Sequence, residues 1–131
     1  LVGFVMSGGD DSFALLKGSR ECVINIPTVE LAKQVVAVGN CHGGDIDKFS
    51  EFRLTAKPAA VVEAPLIAEC YANLECKVTD TRLVNQYNFF VLEVVKGWTD
   101  TAVKQPRTLH HRGNGVFMVA GEVIKLPSKM K

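Results

Sequence analysis

The stretch Ser7-Gly-Gly-Asp-Asp-Ser12 joins an apolar, strand-like run to a helix-like one. Such a junction has a chemical use. Backbone N–H groups at the start of a helix attract anions such as phosphate, and a serine hydroxyl adds one more donor. Asp10 and Asp11 oppose an anion if they face it, and Asp11 reads equally well as an ordinary N-cap. The pattern is neither a Walker motif nor a dinucleotide fingerprint. Lys48 offers a compensating positive charge from a separate segment, although a single lysine more often belongs to a solvated surface. Other chemistry is weaker. Cys41 and His42 are adjacent, as are His110 and His111, but strand neighbours point to opposite faces and no zinc-ligand spacing occurs. Buried thiols and surface imidazoles are the plainer reading, so no metal site is expected. A Cys–His pair such as Cys41 with His110 has no support in the spacing. The Gly-x-Ser-x-Gly pattern of serine hydrolases is absent.

The elements that must position these residues alternate at first. Leu1–Met6 reads as a buried strand. Phe13–Lys17 makes one or two helical turns, ended by Gly18. Glu21–Ile26 is a second strand, stopped by Pro27. Thr28 is a candidate N-cap, with Leu31, Val35 and Val38 on one face of an amphipathic helix that stops at Gly39 and Asn40. Asp47–Phe52 predicts a short helix. From Ala59 the pattern turns to β. Ile67–Thr79 reads as one long strand, with Leu74, Cys76 and Val78 on its apolar face and Glu75, Lys77 and Thr79 on a wet one. A turn near Asp80–Gln86 leads to a second long strand, Phe89–Val95, apolar on both faces over Phe89–Leu92. Two shorter strands follow, around Arg107–His110 and Val116–Val119. Strand, helix, strand, helix and then a meander predict a mainly β fold with packed helices, a small barrel or sheet.

The 131 residues suit one domain, 1–131, and 47% apolar with 22% charged composition argues against intrinsic disorder. Fifteen Lys and Arg against fourteen Asp and Glu give a net charge of +1, which excludes a broadly basic, nucleic-acid-binding surface. No apolar run approaches the ~20 residues of a membrane-spanning helix. In a continuous strand Cys70 and Cys76 stand roughly 20 Å apart, too far for a disulfide. Four cysteines without a disulfide framework point to a reducing, cytoplasmic setting. No signal peptide is recognisable. The chain starts at Leu1, already in a strand, so the expectation is that it was processed or that an N-terminal piece is absent.

Glu-Cys-Val-Ile-Asn-Ile-Pro-Thr (21–28), Gly39 and Asp47-Lys48-Phe49 resemble the flavin reductase-like, FMN-binding split-barrel family, which includes flavoredoxins and the reductase partners of two-component monooxygenases. The resemblance continues through Val62–Ile67, Leu74-Glu-Cys76 and the aromatic strand with Glu93-Val94, and more loosely through His110–Gly121. It rests on the order and spacing of these elements rather than on one motif.

The resemblance implies a split β-barrel that binds FMN. It implies a phosphate contact at Ser12, more weakly at Ser7, and a phosphate or flavin contact at Lys48, with Phe117 as the aromatic near the flavin or substrate. Three departures stand out. His42-Gly43-Gly44 replaces Ser-Gly-Arg, Tyr87 stands where a histidine is usual, and the family's N-terminal strands are missing. Tyrosine still hydrogen-bonds but does not titrate near neutral pH. The implied activity is hydride transfer from NAD(P)H to flavin, with a flavin or protein as electron acceptor. No side chain is assigned as catalytic, because the flavin carries the chemistry. An FMN electron carrier and a non-enzymatic dimeric barrel are the alternatives. A homodimer is expected, since Phe89–Leu92 exceeds what one face of a small barrel buries.

Overall fold

The structure is a computed structural model that describes residues 1–128. Strand β1 (Val2–Val5) leads through a loop over residues 6–10 to α1 (Asp11–Ser19) and β2 (Glu21–Ile26). A 3-10 turn (Val29–Leu31) opens into α2 (Ala32–Gly39), and α3 (Lys48–Glu51) follows. The rest comprises β3 (Ala56–Lys57), β4 (Leu66–Ile67), β5 (Ala72–Asp80), α4 (Val84–Tyr87), β6 (Phe89–Thr99), β7 (Leu109–His111) and β8 (Phe117–Val119). Four strands form one antiparallel sheet in the order β1-β6-β5-β2, while β3-β4 and β7-β8 are separate two-stranded ribbons. The mainly β fold with packed helices is thus as the sequence predicts.

The core lies where α1 crosses the sheet. Leu16 packs with Cys76, Val78, Val84, Phe90 and Leu92, all buried. The Phe13 ring meets Phe90 edge-on, centroids 5.4 Å apart, a preferred aromatic geometry. Alternation along β6 buries Phe90 and Leu92 and leaves Phe89 and Val91 half-covered. Phe89 lies over Gly3 on β1, where a Cβ would come within 2.6 Å of the ring, so a larger residue there must displace the ring.

The long strand expected over Ile67–Thr79 is broken. Ile67 ends β4, a turn in which Cys70 N–H donates to Ile67 O follows, and β5 starts at Ala72. Cys70 therefore lies in a turn rather than on the strand of Cys76, and the separation argued from one continuous strand does not hold. All four cysteines are nonetheless free. The wet face of β5 is also corrected, because Glu75 is fully buried. Its carboxylate accepts hydrogen bonds from the N–H groups of Ala60, Val61 and Val62 and from the Trp98 indole. Burial pushes this carboxyl up, but those donors outweigh burial and hold it below the usual glutamate range. A buried charge so supplied anchors the 58–64 loop on the sheet.

Helix ends differ in detail. Gly18 does not stop α1; the helix runs to Ser19 and closes on Arg20, which takes the left-handed conformation at φ 61°. The N-cap of α1 is Asp10 rather than Asp11. Thr28 makes no side-chain cap and instead bridges to Thr108, tying the β7-β8 ribbon to the end of β2. The turn after β5 contains α4, and β6 extends past Val95 to Thr99.

Candidate anion-binding cleft

Asp47 caps α3: its Oδ1 accepts from the N–H groups of Phe49 and Ser50, and its Oδ2 from the Ser50 hydroxyl at 2.7 Å. The Ser50 hydroxyl, with the Ser50 and Phe49 N–H groups, holds the Asp47 carboxyl below the usual aspartate range. The capped turn projects Lys48, the first residue of α3, toward α2. Lys48 Nζ donates to Val38 O in the last turn of α2 at 2.9 Å. A cation suits this end of a helix dipole. One proton of the ammonium is thereby used and two remain. A Cβ at Gly43 would lie 3.8 Å from Lys48 Cε, in ordinary contact with the stem of that lysine. Cys41 Sγ reaches the carbonyls of Ala37 and Val38, pinning the start of the loop.

Opposite stands the N-terminus of α1. Asp10 makes no side-chain hydrogen bond to the helix, so the first-turn N–H groups lack a side-chain cap. Between the two helix ends lies a cleft of about 580 Å³, lined among others by Met6, Asp11, Ser12, Asn40, His42 and Lys48. Ser12 and Lys48, weak candidates separately, are thus on one wall-to-wall site. The cleft is electrostatically mixed. Asp10 and Asp11 also line it, and His42 Nδ1 lies 3.7 Å from Asp11 Oδ2. Its donor set is a hydroxyl, an ammonium with spare protons and helix N–H groups. That chemistry fits a phosphate monoester, with the two carboxylates opposing it.

The other sequence candidates lie elsewhere. Ser7 is exposed in the loop before α1, and its Oγ accepts from Gly9 N–H at 3.4 Å. Tyr87 ends α4, more than half exposed, and does not line the cleft. Phe117, on β8, stacks on His111 with centroids 4.8 Å apart. The structure therefore brings Ser12 and Lys48 together and leaves Ser7, Tyr87 and Phe117 apart from them. Asn40 and His42 were not among the phosphate-site candidates of the sequence. Their signal was only position, in the polar loop preceding Asp47-Lys48. A second cleft of about 600 Å³ runs along β2 and α1, with Phe4, Leu15, Cys22, Ile24 and Pro65 in its walls, and Ser12 borders both. Among the described residues no group of three or more metal-ligating side chains occurs, and no helix is long and apolar enough to cross a membrane.

Residues 1–117 match the family model described as flavin reductase like domain. An uncharacterised protein of Archaeoglobus fulgidus is 33% identical over 95 residues, covering 72% of this chain and 54% of that protein. The chain thus spans about half the length of the first curated relatives it matches. Among solved structures, an FMN-binding domain of a flavin reductases-like enzyme from Shewanella baltica superposes with a TM-score of 0.86 at 26% identity, covering 95% of this chain and 73% of that one. The flavoredoxin of Desulfovibrio vulgaris shares the fold, with a TM-score of 0.83 at 16% identity over 95% of this chain and 72% of its own. With residues 1–117 matched by the family model, the chain belongs to the flavin reductase-like domain family.

Proposed function

We propose that this chain binds FMN and serves as an NAD(P)H-dependent flavin reductase. The carrying observation is that Ser12 and Lys48 line one cleft beside a helix N-terminus without a side-chain cap, in a chain of this family. Ser12 Oγ, the two spare protons of Lys48 and first-turn N–H groups would hold the phosphate. Lys48 is oriented by Val38 O, and α3 by the Asp47 cap. Bound flavin supplies the hydride chemistry, while the chain binds, orients and sets the local field. Ser7, Tyr87 and Phe117 are not among the residues lining this cleft.

The runner-up is an FMN electron carrier, since the same donor set serves it and is directed at phosphate rather than at a nicotinamide. Purified protein should carry or take up yellow flavin, and NADH or NADPH mixed in a stopped-flow instrument should bleach the flavin absorbance within the turnover time. Flavin binding without bleaching favours the carrier, and no flavin binding rejects both.

The acceptor would be a flavin or a protein, and the free thiols fit a reducing cytoplasm. We further propose a homodimer. Both β1 and β2 are edge strands, and Val5, Leu15, Val116 and Met118 are exposed apolar residues. Sedimentation equilibrium at micromolar concentration should give twice the 14.3 kDa chain mass. A single species of chain mass would exclude the dimer.

A further inference from the structure

We propose that Cys22 and Cys76 form an oxidisable dithiol, which hydroperoxides convert to a disulfide joining the edge strand β2 to β5. The two residues are direct partners in the antiparallel ladder. Directly paired residues have Cα atoms roughly 4.5–5.5 Å apart and side chains on one face, within the range a disulfide spans. Each thiol is among the neighbours that influence the other's protonation.

Their exposure divides the roles. Cys22 is half-buried and lines the cleft along β2 and α1, whereas Cys76 is fully buried in the core. A small oxidant therefore meets Cys22 first. Cys22–SH and a hydroperoxide ROOH give Cys22–SOH and ROH. The Cys76 thiol then attacks the sulfenic sulfur, forming the S–S bond and releasing water. Two electrons pass from the sulfurs to the peroxide, and both thiol protons leave in the products. Cys76, shielded from the oxidant, acts only as the resolving thiol.

Burial, then the neighbouring Cys76 and Glu21, pushes the Cys22 thiol up to about 11. Thiolate is scarce at neutral pH, so the pair is a slow trap, and its oxidation quickens about ten-fold per pH unit from 7 to 10. Cys70 provides an internal comparison. Burial and Glu69 push its thiol up to about 11 as well, with no thiol among those influences.

The full chain is treated with hydrogen peroxide, alkylated under denaturing conditions and mapped by peptide mass spectrometry. The expected product is a Cys22–Cys76 cross-link lighter by two hydrogen atoms, undone by dithiothreitol, with Cys70 still alkylated. In Cys76→Ser, or in Cys76→Val if the serine disturbs the core, Cys22 sulfenic acid should persist and be captured by dimedone. Free Cys22 and Cys76 at doses that oxidise Cys41 would overturn the proposal. So would Cys22 sulfinic acid beside a free Cys76 thiol in the unsubstituted chain, a result that needs no variant to fold.

Discussion

The indole N–H of Trp98, on β6, donates at 2.7 Å to the carboxylate of Glu75, which is wholly buried on β5. Three backbone N–H groups from residues 60–62 converge on the same carboxylate. The pair therefore joins the sheet to a loop that has little regular structure of its own. Glu75→Gln keeps the volume but turns an NH2 donor toward groups that are all donors. It should lower the urea midpoint and shift the emission of Trp98, the sole tryptophan, to longer wavelength. An unchanged midpoint would mean that the loop does not depend on the charge.

The same carboxylate makes stability depend on pH with a definite sign. Its folded-state pKa lies below the ordinary 4.5 despite burial, because of its donors. The stability it contributes is present above 4.5 and is lost as pH falls through the folded value. Asp80 behaves likewise: Arg82 side-chain and backbone hydrogen bonds bring it down to about 2 from 3.8. The gap in urea midpoint between the unsubstituted chain and Glu75→Gln should be widest at neutral pH and close as pH drops below 4.5. A gap independent of pH would remove Glu75 from the account.

Gly3 gives a packing test. A Cβ there would lie 2.6 Å from Phe89 Cζ, so the ring must move for any larger residue. Gly3→Val suits a strand by propensity yet should cost about 1–3 kcal/mol through overpacking. Adding Phe89→Leu should return part of that loss, since contacting sites are not additive. Additive losses in paired denaturation curves would mean that the ring is not what valine meets.

How much of this was legible in the sequence follows from the range of the interactions. The helix at Asp47, the strand Glu21–Ile26 and the apolar run of β6 carry local signals of capping and patterning, and they form as read. Glu75 sits at a polar position of an alternating strand, and alternation alone assigns it to water. Only donors contributed by residues 60–62 and by Trp98 make its burial tolerable, and pairing at that range leaves no periodic trace. Gly18 looks like a helix stop because the competing left-handed cap, Arg20, has no such preference written in its type. Of the candidate site, Ser12 and Lys48 were readable as donors and the resemblance to the family joined them. Their shared cleft depends on how the fold sets the start of α1 across from the end of α2, which sequence spacing does not encode.

Asp11 should act against the proposed ligand. Its carboxylate lines the same cleft as Lys48, with His42 3.7 Å away. Removing the charge by Asp11→Asn should tighten FMN binding about two-fold at low salt, as expected for a partly exposed charge. The gain should shrink as salt approaches 0.1 M, where screening acts over about 10 Å. Weaker binding of FMN by Asp11→Asn would show that the carboxylate orders the site rather than repelling the ligand.

Lys48 and Ser12 should differ in how much they matter. A charge-assisted hydrogen bond contributes ~1.5–3 kcal/mol, about twice a neutral one. Lys48→Ala should therefore weaken FMN binding about ten-fold or more. Ser12→Ala should cost less, because helix N–H groups remain. Lys48 also donates to Val38 O, so its loss leaves one carbonyl at the end of α2 without that donor. Riboflavin separates the two effects, since it lacks the phosphate but experiences any disorder of α2. FMN and riboflavin are titrated into the unsubstituted chain and both variants, with flavin fluorescence as the signal. A loss confined to FMN assigns Lys48 to the phosphate. Equal losses for both flavins would assign it to capping α2, and no loss would return it to the solvated surface.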